Sequence, residues 1–282
     1  MQGKVGLVVE GGGLRAMYAA GVLDALLEAD IHFDAVIGVS AGAIHGASFV
    51  SGQKGRSLRY TLRYCKGDEL FGFKNLIKTG SFMNNEFCYH TLPDKLDPYD
   101  HAAFRERNIP FYVVASNIET GKPEYFHMTD MLGQIDLLQA SASLPYISRP
   151  VKWEGKKLLD GGCLDPVPLR FMQSLGYERN VVVLTQKSAV RKKDKDAILS
   201  PLFYRKYPNF VRGFKETGPK FNELLSTLPA DSDDKVFVIR PTETLSTPRL
   251  THDPEKIRST HGLGYRNGMS RIEALRDWIA GK

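Results

Sequence analysis

The chain has 282 residues, of which 42% are hydrophobic and 25% charged, so disorder over most of its length is excluded and one large α/β domain or two small ones are expected. Its net charge of +6 points toward an anionic partner, nucleic acid or a lipid surface, without choosing between them. The three cysteines, Cys65, Cys88 and Cys163, form no CxxC pair, which argues against a zinc ribbon or a redox pair and fits a reducing compartment. The opening MQGKVGLVVEGGG makes a poor signal peptide and no apolar run is long enough to cross a bilayer. The expectation is a cytoplasmic protein, with peripheral contact at the inner membrane face.

In chain order, residues 5–9 form a valine-rich run without polar side chains, as a buried parallel strand requires. Three glycines follow, then 16–29 (AMYAAGVLDALLEA) reads as a helix apolar over most of its circumference. A strand from 33 to 39, a tight turn at 40–42 and a small-residue helix at 43–50 complete the first unit. This alternation implies parallel strands with right-handed crossovers. Residues 53–108 mix basic, aromatic and turn residues and read as helices and loops on one side of the sheet. Strands are expected at 109–116, 180–186 and 235–240, with a short approach at 157–159. Helices are expected at 133–143 and 265–280. The segment 187–234 stands apart. It opens on the charge run KSAVRKKDKD and continues with interleaved aromatic and basic residues. Packing of an excursion from the sheet is the first reading, a lid the second and a nucleic-acid surface the third, because no nucleic-acid motif accompanies it.

Two glycine motifs compete for the chemistry. Gly11, Gly13 and Ala16 fit the G-x-G-x-x-G/A turn of a dinucleotide site. That site needs an acid at the C-terminal end of the second strand, where Val39 and Ser40 stand instead; Asp34 lies at the wrong end. Gly38-Val39-Ser40-Ala41-Gly42 is a G-x-S-x-G pentapeptide between a strand and a helix. In that setting glycines two before and two after relieve the crowding of a sharp turn, and the serine hydroxyl is exposed above the sheet. The turn also aims the Ala41 N–H and the helix N-terminus at developing negative charge. A serine nucleophile needs a base. His45 lies five residues on and points away; His252 reads as a turn and His261 as a loop. Asp160, followed by Gly161 and Gly162 at the end of a short strand, is the better candidate. Asp165 precedes Pro166 and reads as an N-cap. Backbone N–H groups of Gly11, Gly12 and Gly13 would then form an oxyanion hole, with Arg15 adding positive charge.

With GGGLR (11–15), GVSAG (38–42), DGG (160–162) and ASASLPYISRPV (140–151) in order, the sequence resembles the patatin-like phospholipase family, and most of all its short bacterial members. The resemblance covers roughly the first 185 residues. It implies a three-layer α/β/α fold with a mostly parallel central sheet, a single domain over 1–282 in which 187–234 is a lid or insertion, and hydrolysis of lipid acyl esters without metal or other cofactor. Carried over, Ser40 is the nucleophile, Asp160 the base and Gly11, Gly12 and Gly13 the oxyanion hole. No nucleic-acid partner is implied. Two departures stand out: Ala16 replaces the last glycine of the loop and is expected to narrow it or shift the helix start, and Asp165 stands where asparagine is commoner. Substrate choice is expected in 53–108 and beyond 187. The competing readings are a dinucleotide-binding oxidoreductase and a non-catalytic lipid-binding or regulatory protein that keeps the fold.

Overall fold

The computed structural model describes residues 3–187 and 195–282. Its centre is an eight-stranded sheet. Strands β1 (Val5–Val9), β2 (Ala35–Val39), β3 (Phe111–Asn117), β7 (Arg179–Val183) and β8 (Val236–Ile239) run parallel in the order β3-β2-β1-β7-β8. Three antiparallel pairings extend it: β4 (Lys122–Met128) pairs with β3, β6 (Lys156–Asp160) also pairs with β3, and β5 (Val151–Trp153) forms a hairpin with β6.

The apolar character of β1 follows from burial on both faces. Leu7 and Val9 face one core, with Tyr18, Val22 and Leu26; Val8 faces the other, with Met172, Phe221 and Leu225. The helices are α1 (Met17–Glu28), α2 (Ala41–Val50), α3 (Arg56–Tyr64), α4 (Phe73–Thr79), α5 (His101–Arg107), α6 (Ile135–Ser141), α7 (Leu169–Ser174), α8 (Lys195–Phe203), α9 (Pro208–Thr227), α10 (Pro254–Met269) and α11 (Ile272–Ile279). Helices α1, α2, α6 and α11 supply one face of the sheet, α7 and α9 the other. The result is the three-layer α/β/α arrangement with a mostly parallel sheet.

The C-terminal region departs from expectation. In place of one closing helix over 265–280 there are two, α10 and α11, broken at Ser270 and Arg271. His261 lies inside α10 and not in a loop. Its segment reads as a loop because Gly262 and Gly264 disfavour a helix interior. Here Gly264 is needed for contact: a Cβ there would run into the Tyr18 carbonyl, so α1 and α10 meet backbone to backbone. Strands β4 and β5 carry no sequence expectation. In 187–234, α9 turns Phe210, Phe214, Phe221 and Leu225 inward, the packing reading, while Arg212 and Lys215 stay exposed. The charge run expected as a solvated loop or helix face lies mostly at 188–194, outside the described residues.

Candidate active site

Strand register brings Ser40 and Asp160 together. Along one edge of β3, residues 111–117 pair with β4 throughout. The other edge is therefore shared: β2 occupies it up to Val39 opposite Val114, and β6 takes over with Asp160 opposite Ala115. Two strands of opposite direction thus abut at consecutive positions of β3. Ser40, the first residue past β2, meets Asp160, the last residue of β6. The Ser40 hydroxyl donates to Asp160 Oδ2 at 2.6 Å, and both side chains are buried.

Ser40 has φ 55° and ψ −128°, in the positive-φ region that costs an L-residue of order 1–3 kcal/mol. Its surroundings hold it there. The Ser40 N–H donates to Ser141 Oγ at 2.8 Å, and α2 starts at once with Ala41. Gly42 takes the approach of β1, since a Cβ would fall 2.5 Å from the Val9 carbonyl oxygen. Gly38 likewise leaves room for Ala43. On the base side, Asp160 Oδ1 accepts from the Gly162 N–H at 2.8 Å, which leaves Oδ2 for the serine. The Asp160 N–H donates to the Ser143 carbonyl, and the Ser116 hydroxyl donates to the Asp160 carbonyl, both at 2.8 Å. A Cβ on Gly161 would run into the Val114 carbonyl, so this glycine lets the strand end lie against β3.

The glycine loop runs beside the elbow. A Cβ on Gly11 would lie 2.8 Å from Ser40 Cβ, so only glycine permits this approach. Gly12 and Gly13 have φ of 142° and 57°. Among the described residues, no acceptor receives a backbone hydrogen bond from Gly11, Gly12 or Gly13. Glu10 and Thr185 fix the loop: the Thr185 N–H donates to Glu10 Oε2 at 2.7 Å and its hydroxyl to the Gly11 carbonyl at 2.7 Å. Sequence reasoning misses Glu10, Thr185, Ser116, Ser141 and Ser143 as supports. The only local signals are an acid at the end of an apolar strand and the small-residue run 140–143, neither of which reveals its partner.

The remaining candidates fall elsewhere. His45 binds Ser57 Oγ at 3.0 Å, and burial holds its imidazole down at about 4, so it is neutral. His261 pairs with Asp24 and His252 with the Cys65 carbonyl. Asp34 accepts from the Val5 N–H, at the N-terminal end of β2. The Arg15 guanidinium lies beside Gly12. Among the described residues, no three His, Cys, Asp or Glu side chains cluster as metal ligands would.

A patatin-like phospholipase family model matches residues 7–172, which contain the glycine loop, the elbow and Asp160. The chain belongs to the patatin-like phospholipase family. A second model, a domain of unknown function (DUF6363), matches residues 207–280. The uncharacterized protein YjjU of Escherichia coli is 27% identical over 98% of this chain and 74% of its own length. Lysophospholipase nte1 of Aspergillus terreus is 28% identical over 62% of this chain, which spans only 11% of that protein. Two solved structures share the fold. VipD from Legionella pneumophila has a TM-score of 0.51 at 14% identity, over 97% of this chain and 67% of its own. Human GIVD cytosolic phospholipase A2, in complex with methyl gamma-linolenyl fluorophosphonate, has a TM-score of 0.52 at 11% identity, over 99% and 59%.

As a patatin-like chain it accommodates both departures from the family pattern. Ala16 is fully buried with ordinary right-handed backbone angles, ending a 3-10 turn (Gly13–Ala16) that precedes α1. Helix α1 itself starts one residue later than the sequence reading places it, at Met17. Asp165 is not an N-cap: the nearest helix, α7, begins at Leu169 after Pro168. Its carboxylate accepts from the Tyr125 hydroxyl at 2.8 Å, and burial pushes it up to about 6. A carboxyl raised in the folded state stabilises the fold below its unfolded value near 4 and loses that contribution as pH rises through 6. Asp165→Asn keeps the acceptor for Tyr125 without the charge. Thermal melts should therefore show the variant more stable than wild type at about pH 8, with the gap closing toward about pH 4.

Two cavities meet at the serine. The larger, about 150 Å³, is lined mainly by apolar side chains, among them Ile44, Met83, Tyr89, Leu92 and Met131. The smaller, about 70 Å³, is bounded by Glu10, the three glycines and Asp160. Ser40, Gly13, Leu144 and Arg249 line both.

Proposed function

We propose that the chain hydrolyses acyl esters of lipids, as a lipase or phospholipase A-type esterase, through an acyl-enzyme on Ser40 with Asp160 as the only base. The observation that carries this reading is the 2.6 Å bond from a strained, elbow-borne Ser40 hydroxyl to Asp160. The family membership and the name of the fungal relative agree with it. Ser40 Oγ attacks the ester carbonyl carbon as its proton passes to Asp160 Oδ2. The carbonyl oxygen gains negative charge, which the N–H groups of Gly11, Gly12 and Gly13 stabilise; one such donor is worth about a hundred-fold or more in rate. The intermediate collapses, the C–O bond to the leaving alcohol breaks, and Asp160 returns the proton to that oxygen. Water then gives its proton to Asp160, attacks the acyl-serine and releases the carboxylic acid, and the proton goes back to Ser40.

The two cavities suit the two halves of such an ester. The larger cavity fits the acyl chain, and the smaller one, which holds Glu10, Asp160 and the glycine loop, fits the alcohol portion. No metal or other cofactor takes part in this scheme. The enzyme would act from the cytoplasm, at the surface of a membrane; among the described residues no helix is long and apolar enough to cross one. The reading is tested by incubating the protein with a panel of phospholipids, lysophospholipids and neutral glycerides and identifying products by mass spectrometry. Release of free fatty acid from at least one class is expected. A panel without any product, from a protein that also hydrolyses no short p-nitrophenyl ester, would overturn the enzymatic reading in favour of a binding protein.

A further inference from the structure

Water-exposed apolar side chains are concentrated on two short helices beside the cavity mouth. Of the ten large hydrophobic residues exposed among the described ones, Phe73 and Ile77 lie on α4, and Ile198, Leu199, Leu202 and Phe203 on α8. Ile77 and Leu202 are 85% and 73% exposed. On α4, Phe73 and Ile77 stand one turn apart and are both exposed. Helix α8 turns Ala197 and Ser200 inward, and Tyr204 just past its end is also buried, while its aliphatic residues face out. Exposed apolar side chains clustered in this way mark an interaction surface.

The lip of the active site links the two helices. Leu144 lines both cavities and Pro145 the smaller one. The next residue, Tyr146, has a positive φ of 72°, packs its ring 5.0 Å from Phe203 and donates its N–H to the Tyr204 hydroxyl. The Ile147 carbonyl accepts from the Phe82 N–H at 2.7 Å, and the Phe82 ring lies edge-on against Phe73 at 5.5 Å. One short loop thus carries α8 on one side, α4 on the other, and the cavity entrance between them. Leu132, 60% exposed, also lines the larger cavity.

Charge decides what would cover this face. Lys74, Lys78, Arg149, Arg205 and Lys206 are exposed on or next to the two helices, and Arg149 lies over Gly80 at the end of α4. Against them stands Asp68, 3.7 Å from Lys74. Exposed aliphatic side chains with cations beside them in the chain match a membrane surface of anionic phospholipid, in which apolar groups enter the acyl boundary and cations are drawn to the lipid headgroups.

We infer that α4 and α8 form a bilayer-docking face that seats the cavity mouth on anionic phospholipid, so that substrate enters from the membrane. The inference rests on the lipid-ester reading above. It is tested with Ser40→Ala protein, to prevent hydrolysis, and sedimentation with vesicles of phosphatidylcholine alone or mixed with phosphatidylglycerol. Binding is expected to be stronger to the mixed vesicles and to weaken with salt. Ile77→Glu with Leu202→Glu should lower binding by about ten-fold or more, as the loss of two buried aliphatic side chains implies. Arg205→Glu with Lys206→Glu should remove the preference for anionic vesicles. In the Ser40-intact background both pairs should keep turnover of a soluble short-chain ester and an unchanged melting temperature. Vesicle binding unaffected by both pairs, no vesicle binding by the parent, or loss of a dimer in sedimentation equilibrium as the only effect would each overturn the docking face. Absence of soluble-ester turnover in the parent would instead overturn the catalytic reading, which separates the two failures.

Discussion

Ser40→Ala is expected to lower turnover of any accepted ester by about ten-thousand-fold or more, the scale seen when a nucleophilic serine is removed. The fold should survive, because alanine deletes only the hydroxyl and keeps the backbone N–H that donates to Ser141 Oγ. Positive φ at residue 40 is as costly for alanine as for serine, so the strain is unchanged. A fluorophosphonate probe should label the wild type and leave the variant unlabelled, with intact-mass measurement placing the adduct on one residue. Labelling of Ser40→Ala at the wild-type rate would remove Ser40 as the nucleophile.

Asp160→Asn should lower turnover on the order of a thousand-fold or more, since in the proposed mechanism a single group is the base in both half-reactions. The substitution is nearly isosteric. Asparagine can keep the acceptor for the Gly162 N–H, and the backbone bonds to Ser143 and Ser116 remain. What it loses is the capacity to take the Ser40 proton. Melting temperature should therefore change little while fluorophosphonate labelling slows together with ester turnover. Turnover within about ten-fold of wild type would show that the proton goes elsewhere. Labelling that stays fast while turnover falls would confine Asp160 to the deacylation step.

The parts of this molecule that sequence reveals are those set by local patterning. Strand β1 and helix α1 follow from one uninterrupted apolar run and one helix apolar over most of its circumference, the strand buried in full and the helix as far as Leu26. The elbow is equally local, because a strand, a G-x-S-x-G turn and a helix fall within sixteen residues of each other in a single crossover unit. Strand β4 escapes because KPEYFHM is a half-exposed edge strand with lysine, glutamate and histidine on it, and its place depends on β3. Helix α10 escapes because the glycines that let it touch α1 are the residues that argue against a helix. Asp165 reads as a cap from its proline neighbour, yet its fate is decided by Tyr125, 40 residues away. Ser40 and Asp160 are each visible in sequence, but their meeting is not. That depends on the register of two strands on a third.

The shared edge of β3 has a consequence for when activity arises. Ser40 and Asp160 lie 120 residues apart along the chain, and nothing local joins them. A growing polypeptide can complete β1, β2 and the elbow long before β6 exists. It then displays a serine hydroxyl without a proton acceptor. Only when Asp160 has emerged and β6 has claimed the last three positions of β3 does the hydroxyl gain its carboxylate partner. In the proposed mechanism strand pairing therefore acts as a safety catch: the pair that would attack an ester is incomplete until the sheet itself is complete.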